Sequence, residues 1–169
     1  MHVERESGFV IITFNVLEGR FLDQILDRLA ATYRAKPGTL GGPVEETLYS
    51  TKGCAAETTP EEAGEWVEQL RGFKSSRLAL IRDWSSQLQS GGAPRVPLKV
   101  KTDDAPDFIG ALNDHRLMAA AEHEIGEDDM SLRDPLEMAS LPDERQGALM
   151  EIHFLAWIME EVLHALEST

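Results

Sequence analysis

The chain has 169 residues, of which 42% are apolar and 27% charged, and its formal net charge is −14. A chain of this length fits one domain with one core. No apolar run approaches the roughly 20 residues that span a bilayer, and the N-terminus lacks the features of a secretory signal. The single cysteine, Cys54, excludes an intrachain disulfide and a thiolate metal cluster. We therefore expect one domain, no membrane span and a cytoplasmic location.

The negative charge is confined to the C-terminal part of the chain. Residues 1–102 carry 13 acidic and 13 basic side chains, whereas residues 103–169 carry 17 acidic side chains and only Arg116, Arg133 and Arg145. Such a field repels phosphate backbones and anionic lipid headgroups, so nucleic-acid binding and membrane-surface binding are disfavoured. It is typical of a solvated face, of a docking surface for a basic partner, or of a cation site.

The first predicted elements lie at the N-terminus. Residues 1–14 predict a short β-hairpin, because two runs rich in β-branched and aromatic residues flank the turn-compatible pair Ser7-Gly8. Asn15 is a suitable N-cap for the helix that follows, in which apolar residues recur three and four positions apart as far as Tyr33. Lys36-Pro37-Gly38 ends that helix.

A loop and a long helix are predicted next. Residues 37–59 are rich in Gly, Pro and Thr and predict a long loop. Thr59 and Pro60 then start a helix with the apolar spacing of a helix–helix seam, running through Gly72, where a bend or an interruption is allowed. The seam positions are Trp66, Leu70, Phe73, Arg77, Leu80, Trp84 and Leu88.

Two further helices are predicted in the rest of the chain. Residues 96–101 predict an extended connector, because Pro97 is excluded from a central strand. Asp104 is a suitable N-cap for the next helix, and Gly126 is expected to end that helix in the left-handed conformation. An acidic, irregular segment then leads to the final helix, 144–166. The predicted fold is therefore a mainly α, single-domain bundle of about four principal helices, with the hairpin at its start.

The final helix has two different faces. Its apolar arc consists of Leu149, Ile152, Leu155, Ile158, Met159, Val162, Leu163 and Leu166. The opposite side carries His153, Trp157, Glu160 and His164 at spacings of four, three and four residues. Because a core covers only the apolar arc, we expect an exposed Trp157 framed by titratable groups, and these four residues are the interface candidates.

The histidines are weak candidates for metal binding. His153 and His164 are eleven residues apart, about 16 Å of helix rise, which one ion cannot bridge. His115 and His123 lie on the preceding helix, where solvated polar positions are the better interpretation. A metal site would need ligands from two helices to converge, so we expect no cofactor.

A polar network is predicted inside the bundle. Arg77 interrupts the seam, and Asn113, Asp114 and Arg116 interrupt the following apolar helix. Because an unpaired buried charge costs several kcal/mol, we expect Asp114 to pair with Arg77 or Arg116 in a structural role. No serine lies in a nucleophile elbow, and Cys54 has only one basic neighbour, so neither a triad nor a Cys–His pair is indicated.

Over nearly its full length, the chain resembles a bacterial family, the domain-of-unknown-function family 2017. The most specific match is Leu112-Asn113-Asp114-His115-Arg116-Leu117, followed at a suitable distance by the segment 154–161 around Trp157. The helix Leu70–Leu88 with Lys74 and Arg77 is similar as well. The resemblance implies no activity. Genes of this family often lie beside that of the Clp protease adaptor, which implies a link to proteostasis.

The sequence therefore predicts a non-catalytic, cytoplasmic binding or regulatory module of adaptor-like character. Its partner is expected to be a protein or a second copy of the chain, bound through Trp157 and the acidic C-terminal third. The alternative is a metal-dependent helical enzyme with ligands from the last two helices: His115, His123, His153, Glu160 and His164.

Overall fold

A three-stranded antiparallel sheet forms one layer of the molecule. The structure is a computed structural model that describes residues 1–51, 58–89, 94–132 and 135–168. The strands are β1 (His2–Glu6), β2 (Phe9–Asn15) and β3 (Arg95–Lys101), in the order β1-β2-β3. The predicted hairpin of residues 1–14 is confirmed, because β1 pairs with β2.

The turn and the third strand follow from local chemistry. Ser7 and Gly8 have φ values of 49° and 84°, the left-handed pair that a two-residue hairpin turn requires. The segment 96–101 is a strand rather than the predicted connector, and Pro97 lies opposite Thr13. Proline has no backbone N–H and so cannot donate a hydrogen bond to a neighbouring strand. Because β3 is an edge strand, it tolerates Pro97, whereas a central strand would lose a hydrogen bond.

The rest of the described chain is mainly helical, as predicted. The helices are α1 (Val16–Arg34), α2 (Gly42–Leu48), α3 (Pro60–Ser76), α4 (Leu78–Gln89), α5 (Ala105–Glu122), α6 (Glu127–Ser131), α7 (Pro135–Met138) and α8 (Asp143–Glu167). A 3-10 turn, Thr102–Asp104, precedes α5. The predicted number of four principal helices is not confirmed, because α1, α3, α4, α5 and α8 each have twelve residues or more.

There are five long helices and not four because the predicted 59–88 helix is divided at Arg77 into α3 and α4. Arg77 caps α3, and its side chain turns toward α5, where it contacts Asp107 and Asp114. The helix is therefore interrupted at Arg77 and not at Gly72, which lies inside α3. Trp84 of α4 is buried, whereas Trp66 and Phe73 of α3 are 40% and 57% exposed.

Two other predicted boundaries are also corrected. The predicted loop 37–59 contains α2, which starts with a proline in its first turn; residues 52–57 of that loop lie outside the described part. Gly126 is not the left-handed terminator of α5, because its φ is −88°. The left-handed residue is Glu124, with φ 52°, and α5 already ends at Glu122.

The core lies between the inner face of the sheet and helices α1, α4, α5 and α8. Trp84 and Phe108 meet at its centre edge to face, with ring centroids 5.0 Å apart. A second apolar cluster joins α5 to α8 through Ala119, Leu149 and Ile152. One side of α8 therefore packs against the core, and the opposite side faces solvent. Among the described residues, no helix is both long and apolar enough to cross a membrane.

Candidate functional site

The outward face of α8 carries the predicted interface residues. Trp157 is 41% exposed, Glu160 and His164 are exposed, and His153 is half-buried. Met150, seven residues before Trp157 and therefore on the same side of the helix, is 58% exposed. We call the surface formed by Met150, His153, Trp157, Glu160 and His164 the α8 face.

The apolar arc of α8 is mostly buried, with Met159 and Leu166 half-buried and one exposed member. Leu149, Ile152, Leu155, Ile158 and Val162 lie in the core. Leu163 does not, because it is 45% exposed beside the α8 face. Apolar surface on this side is therefore wider than the periodicity predicts.

Among the described residues, the acidic side chains on and beside the α8 face have no counter-ion. Glu160, Glu161 and Glu167 form no ion pair or side-chain hydrogen bond within the part of the chain that the structure describes. By contrast, Glu151, on the inward side of α8, binds Arg28 at 3.3 Å. The uncompensated carboxylates thus lie next to an exposed indole.

A second polar group lies inside the protein, between α1, α3 and α5. Asp114 accepts hydrogen bonds through Oδ2 from the Tyr33 hydroxyl at 2.5 Å, from Lys74 Nζ at 2.6 Å and from Arg77 at 3.4 Å. Arg77 Nε donates to Asp107 at 2.9 Å. Lys74, Arg77 and Asp114 are each less than 10% exposed. Two buried cations and two carboxylates therefore balance, and we call these five residues the buried charge cluster.

The close approach of α5 to Arg77 depends on a glycine. A Cβ atom at Gly110 would lie 2.7 Å from the Arg77 guanidinium, nearer than non-bonded atoms approach. Because Asp107 and Asp114 fix that guanidinium from one side, it has little freedom to retreat. Gly110 is thus part of the binding site for Arg77, although it contributes no side chain.

Two members of the buried charge cluster, Tyr33 and Arg77, have raised pKa values. Burial, together with the neighbouring carboxylate of Asp114, raises the pKa of Tyr33 well above its usual value. Burial alone would lower the pKa of Arg77, but its contacts with Asp107 and Tyr33 outweigh burial, so that pKa is raised. Neither group exchanges protons near neutral pH. Chemically, the cluster is a clamp that joins three helices.

The sequence analysis named only part of this cluster. Asp114 contacts Arg77, but Asn113 and Arg116 do not join them; both are half-buried, and the buried Nε of Arg116 has no hydrogen-bond partner in the described structure. Tyr33 and Lys74 were named for an apolar helix face and for the family resemblance, but not as members of this cluster. Their signal was weak, because a Tyr at the end of an apolar face and a Lys on a polar helix are both ordinary.

His115 occupies a different environment from the predicted one. It was expected to be solvated, yet it is fully buried, and its Nε2 lies 3.0 Å from Glu151 Oε2. Arg28 binds both Glu151 and Glu122, so a polar chain links α1, α5 and α8. Burial raises the pKa of Glu151, but the hydrogen bond to His115 and the nearby Arg28 lower it more.

The metal-ligand candidates are not brought together. His115 is buried against α8, His123 is half-buried at the end of α5, and His164 is exposed near the other end of α8. Within residues 1–51, 58–89, 94–132 and 135–168, no group of three or more His, Cys, Asp or Glu side chains is arranged to bind a metal ion.

These features define a mainly α protein with a small antiparallel sheet, internally paired charges and an acidic, tryptophan-bearing outer helix. The chain belongs to the family described as "Domain of unknown function (DUF2017)", whose model matches residues 2–166. The resemblance drawn from the sequence is therefore confirmed. No curated protein and no solved structure matches the chain significantly.

Proposed function

We propose that this protein is a non-catalytic, adaptor-like binding module whose α8 face docks a basic protein partner. The observation that carries the proposal is the combination of an exposed indole with carboxylates that have no counter-ion in the described structure. Tryptophan is the residue most enriched among energetic anchors of protein interfaces. Unpaired carboxylates around it favour a Lys- or Arg-bearing partner and disfavour an acidic one.

The contribution expected from Trp157 can be worked from its exposure. About 40% of a tryptophan surface of roughly 250 Å² is about 100 Å², and burying it is worth about 2.5 kcal/mol at ~25 cal/mol per Å². Side-chain ordering on association reduces this gain. We therefore expect Trp157→Ala to weaken binding by about 2 kcal/mol, or roughly 30-fold.

The experiment compares two tryptophans of equal exposure. The full-length chain and its Trp157→Ala and Trp66→Ala variants are used to co-purify proteins from the native host, at low and high salt. Trp66 is 40% exposed but lies on α3, so it controls for a general effect of removing a surface indole. Circular dichroism verifies that each variant folds.

The expected result is a basic protein that the wild type and Trp66→Ala retain and Trp157→Ala loses. Its affinity, measured with the purified pair, should fall as ionic strength rises and fall again in Glu160→Gln/Glu161→Gln. A partner that Trp157→Ala binds as tightly as the wild type does would contradict the proposal. So would an affinity that is independent of salt.

A further inference from the structure

The sheet exposes the face that points away from the core. Side chains alternate across a strand, and Val10, Ile12 and Phe14 of β2 point inward and are fully buried. Phe9 and Ile11 point to the other side and are only half-buried. We call this second side the outer sheet face. β1 and β3 contribute exposed residues to it on either side of β2.

The register of the strands orders the charges on the outer sheet face. Glu6, Phe9 and Lys101 are opposite one another in one row across the sheet. Glu4, Ile11 and Lys99 form the next row on the same side. Each row therefore reads anion, apolar residue, cation, with β1 acidic and β3 basic.

Most of these charges have no ion-pair partner among the residues that the structure describes. The two ends of a row are two strand spacings apart, about 10 Å, and no ion pair joins Glu6 to Lys101 or Glu4 to Lys99 in the described structure. Glu6, Lys99 and Lys101 have no ion pair in the described structure, and Glu4 has only a contact at 3.6 Å with His2. The described part of the chain therefore leaves both outer strands open to counter-ions from solvent or from another molecule.

The edge of the sheet at β3 is occupied by α4, which disfavours pairing of a further strand there. The Gln87 side chain accepts from the backbone N–H of Lys99 and donates to its carbonyl, so α4 occupies the free edge of β3. Arg5 of β1 donates to the carbonyl of Leu166, so the end of α8 lies against the other edge strand. Addition of a further strand to β3 would require loss of the Gln87 contacts.

We propose that a second copy of this chain packs on the outer sheet face, related by a two-fold axis that runs along β2. This axis places β3 of one copy over β1 of the other. Each row of one copy then faces the same row of the other copy. Lys101 then faces the partner's Glu6, Lys99 faces the partner's Glu4, and the apolar side chains of β2 meet at the centre. A two-fold axis across the strands would instead place β3 over β3, cation against cation.

The overall charge distribution selects the same surface. With a net charge of −14, two copies repel each other most strongly through the acidic helices. The outer sheet face carries Arg95, Lys99 and Lys101 against Glu4 and Glu6, so it is nearly neutral. It therefore combines low repulsion with self-complementary rows and an apolar centre.

The size of the face predicts a weak dimer. Three strands of five to seven residues cover roughly 14 Å by 20 Å, or about 300 Å² per copy. The total of about 600 Å² is below the ~1,200 Å² of stable interfaces. We therefore expect dimers only at high micromolar to millimolar protein concentration.

Sedimentation equilibrium of the full chain, from about 20 μM to about 2 mM, tests the proposal. The weight-average mass should rise above 18.8 kDa at the upper concentrations. A monomer across the whole range would overturn the proposal. Trp157→Ala should dimerise like the wild type; loss of the dimer in that variant would place self-association on the α8 face and would also overturn it.

Charge reversal tests the arrangement of the rows. Lys99→Glu/Lys101→Glu and Glu4→Lys/Glu6→Lys should each weaken the dimer at least tenfold, because each places like charges opposite one another. The variant with all four substitutions should dimerise again, and so should an equimolar mixture of the two double variants. Undiminished dimers in either double variant would refute the row pairing, as would a folded four-fold variant that stays monomeric.

Discussion

Asp114→Ala tests the interpretation of the buried charge cluster as a structural clamp. Asp114 binds Lys74 Nζ at 2.6 Å, and Lys74 has no other carboxylate partner in the described structure. Arg77 keeps its contact with Asp107. The substitution therefore leaves one buried cation without a counter-ion, and this costs about 3–5 kcal/mol in comparable buried pairs.

That loss is large against the roughly 5–15 kcal/mol of total stability typical of a domain. With a urea m-value of about 2 kcal/mol per molar, the unfolding midpoint of Asp114→Ala should fall by about 2 M. Urea unfolding followed by circular dichroism measures the change. Asp103→Ala is the matched control, because Asp103 is exposed on the turn before α5 and should change stability by less than about 0.5 kcal/mol.

The double variant Lys74→Met/Asp114→Leu completes the test. Replacing both members of a buried pair with apolar residues is often neutral, so the double variant should be more stable than Asp114→Ala alone. A loss below about 1 kcal/mol in Asp114→Ala would refute the clamp. A double variant at least as unstable as Asp114→Ala would show that the pair is not energetically coupled.

Three further outcomes are expected. Gly110→Ala should lower stability by about 1–3 kcal/mol through displacement of Arg77, although alanine normally stabilises a helix interior; an unchanged thermal midpoint would contradict the close contact. Because the pKa values of Tyr33 and Tyr49 are raised, an alkaline absorbance titration should show less phenolate at pH ~10 in the native chain than in the unfolded chain, and the stability that the neutral phenols contribute is lost as the pH rises above ~10. Because the pKa of Glu151 is lowered, its contribution is present above pH ~4.3 and is lost on acidification, so the stability difference between wild type and Glu151→Gln should shrink between pH ~5 and ~3.

Local signals in the sequence predicted the starts of elements well. Asn15 caps α1 and Thr59 caps α3, each in a reciprocal capping box with a glutamate three residues later. Ser7-Gly8 forms the hairpin turn. Each of these features is stabilised by residues no more than a few positions apart, so the chain itself contains the whole interaction.

Elements that depend on distant partners were predicted less well. The segment 96–101 is a strand only because β2 is available to pair with it, and its sequence also suits a connector. The break at Arg77 needs carboxylates 30 and 37 residues further along the chain. Likewise, no clear local signal in the sequence marks the end of α5 at Glu122, and Gly126 was predicted to end it instead.

The same division applies to the two candidate sites. Helical periodicity alone determined which side of α8 carries Trp157 and Glu160, because positions on one helix keep a fixed angular relation. Only the tertiary structure decided that Tyr33 and Lys74 meet Asp114, across separations of 81 and 40 residues. The physical reason is that a buried charge is stabilised by the counter-charge that helix packing places beside it. The whole core determines that packing, and neighbouring residues in the chain do not.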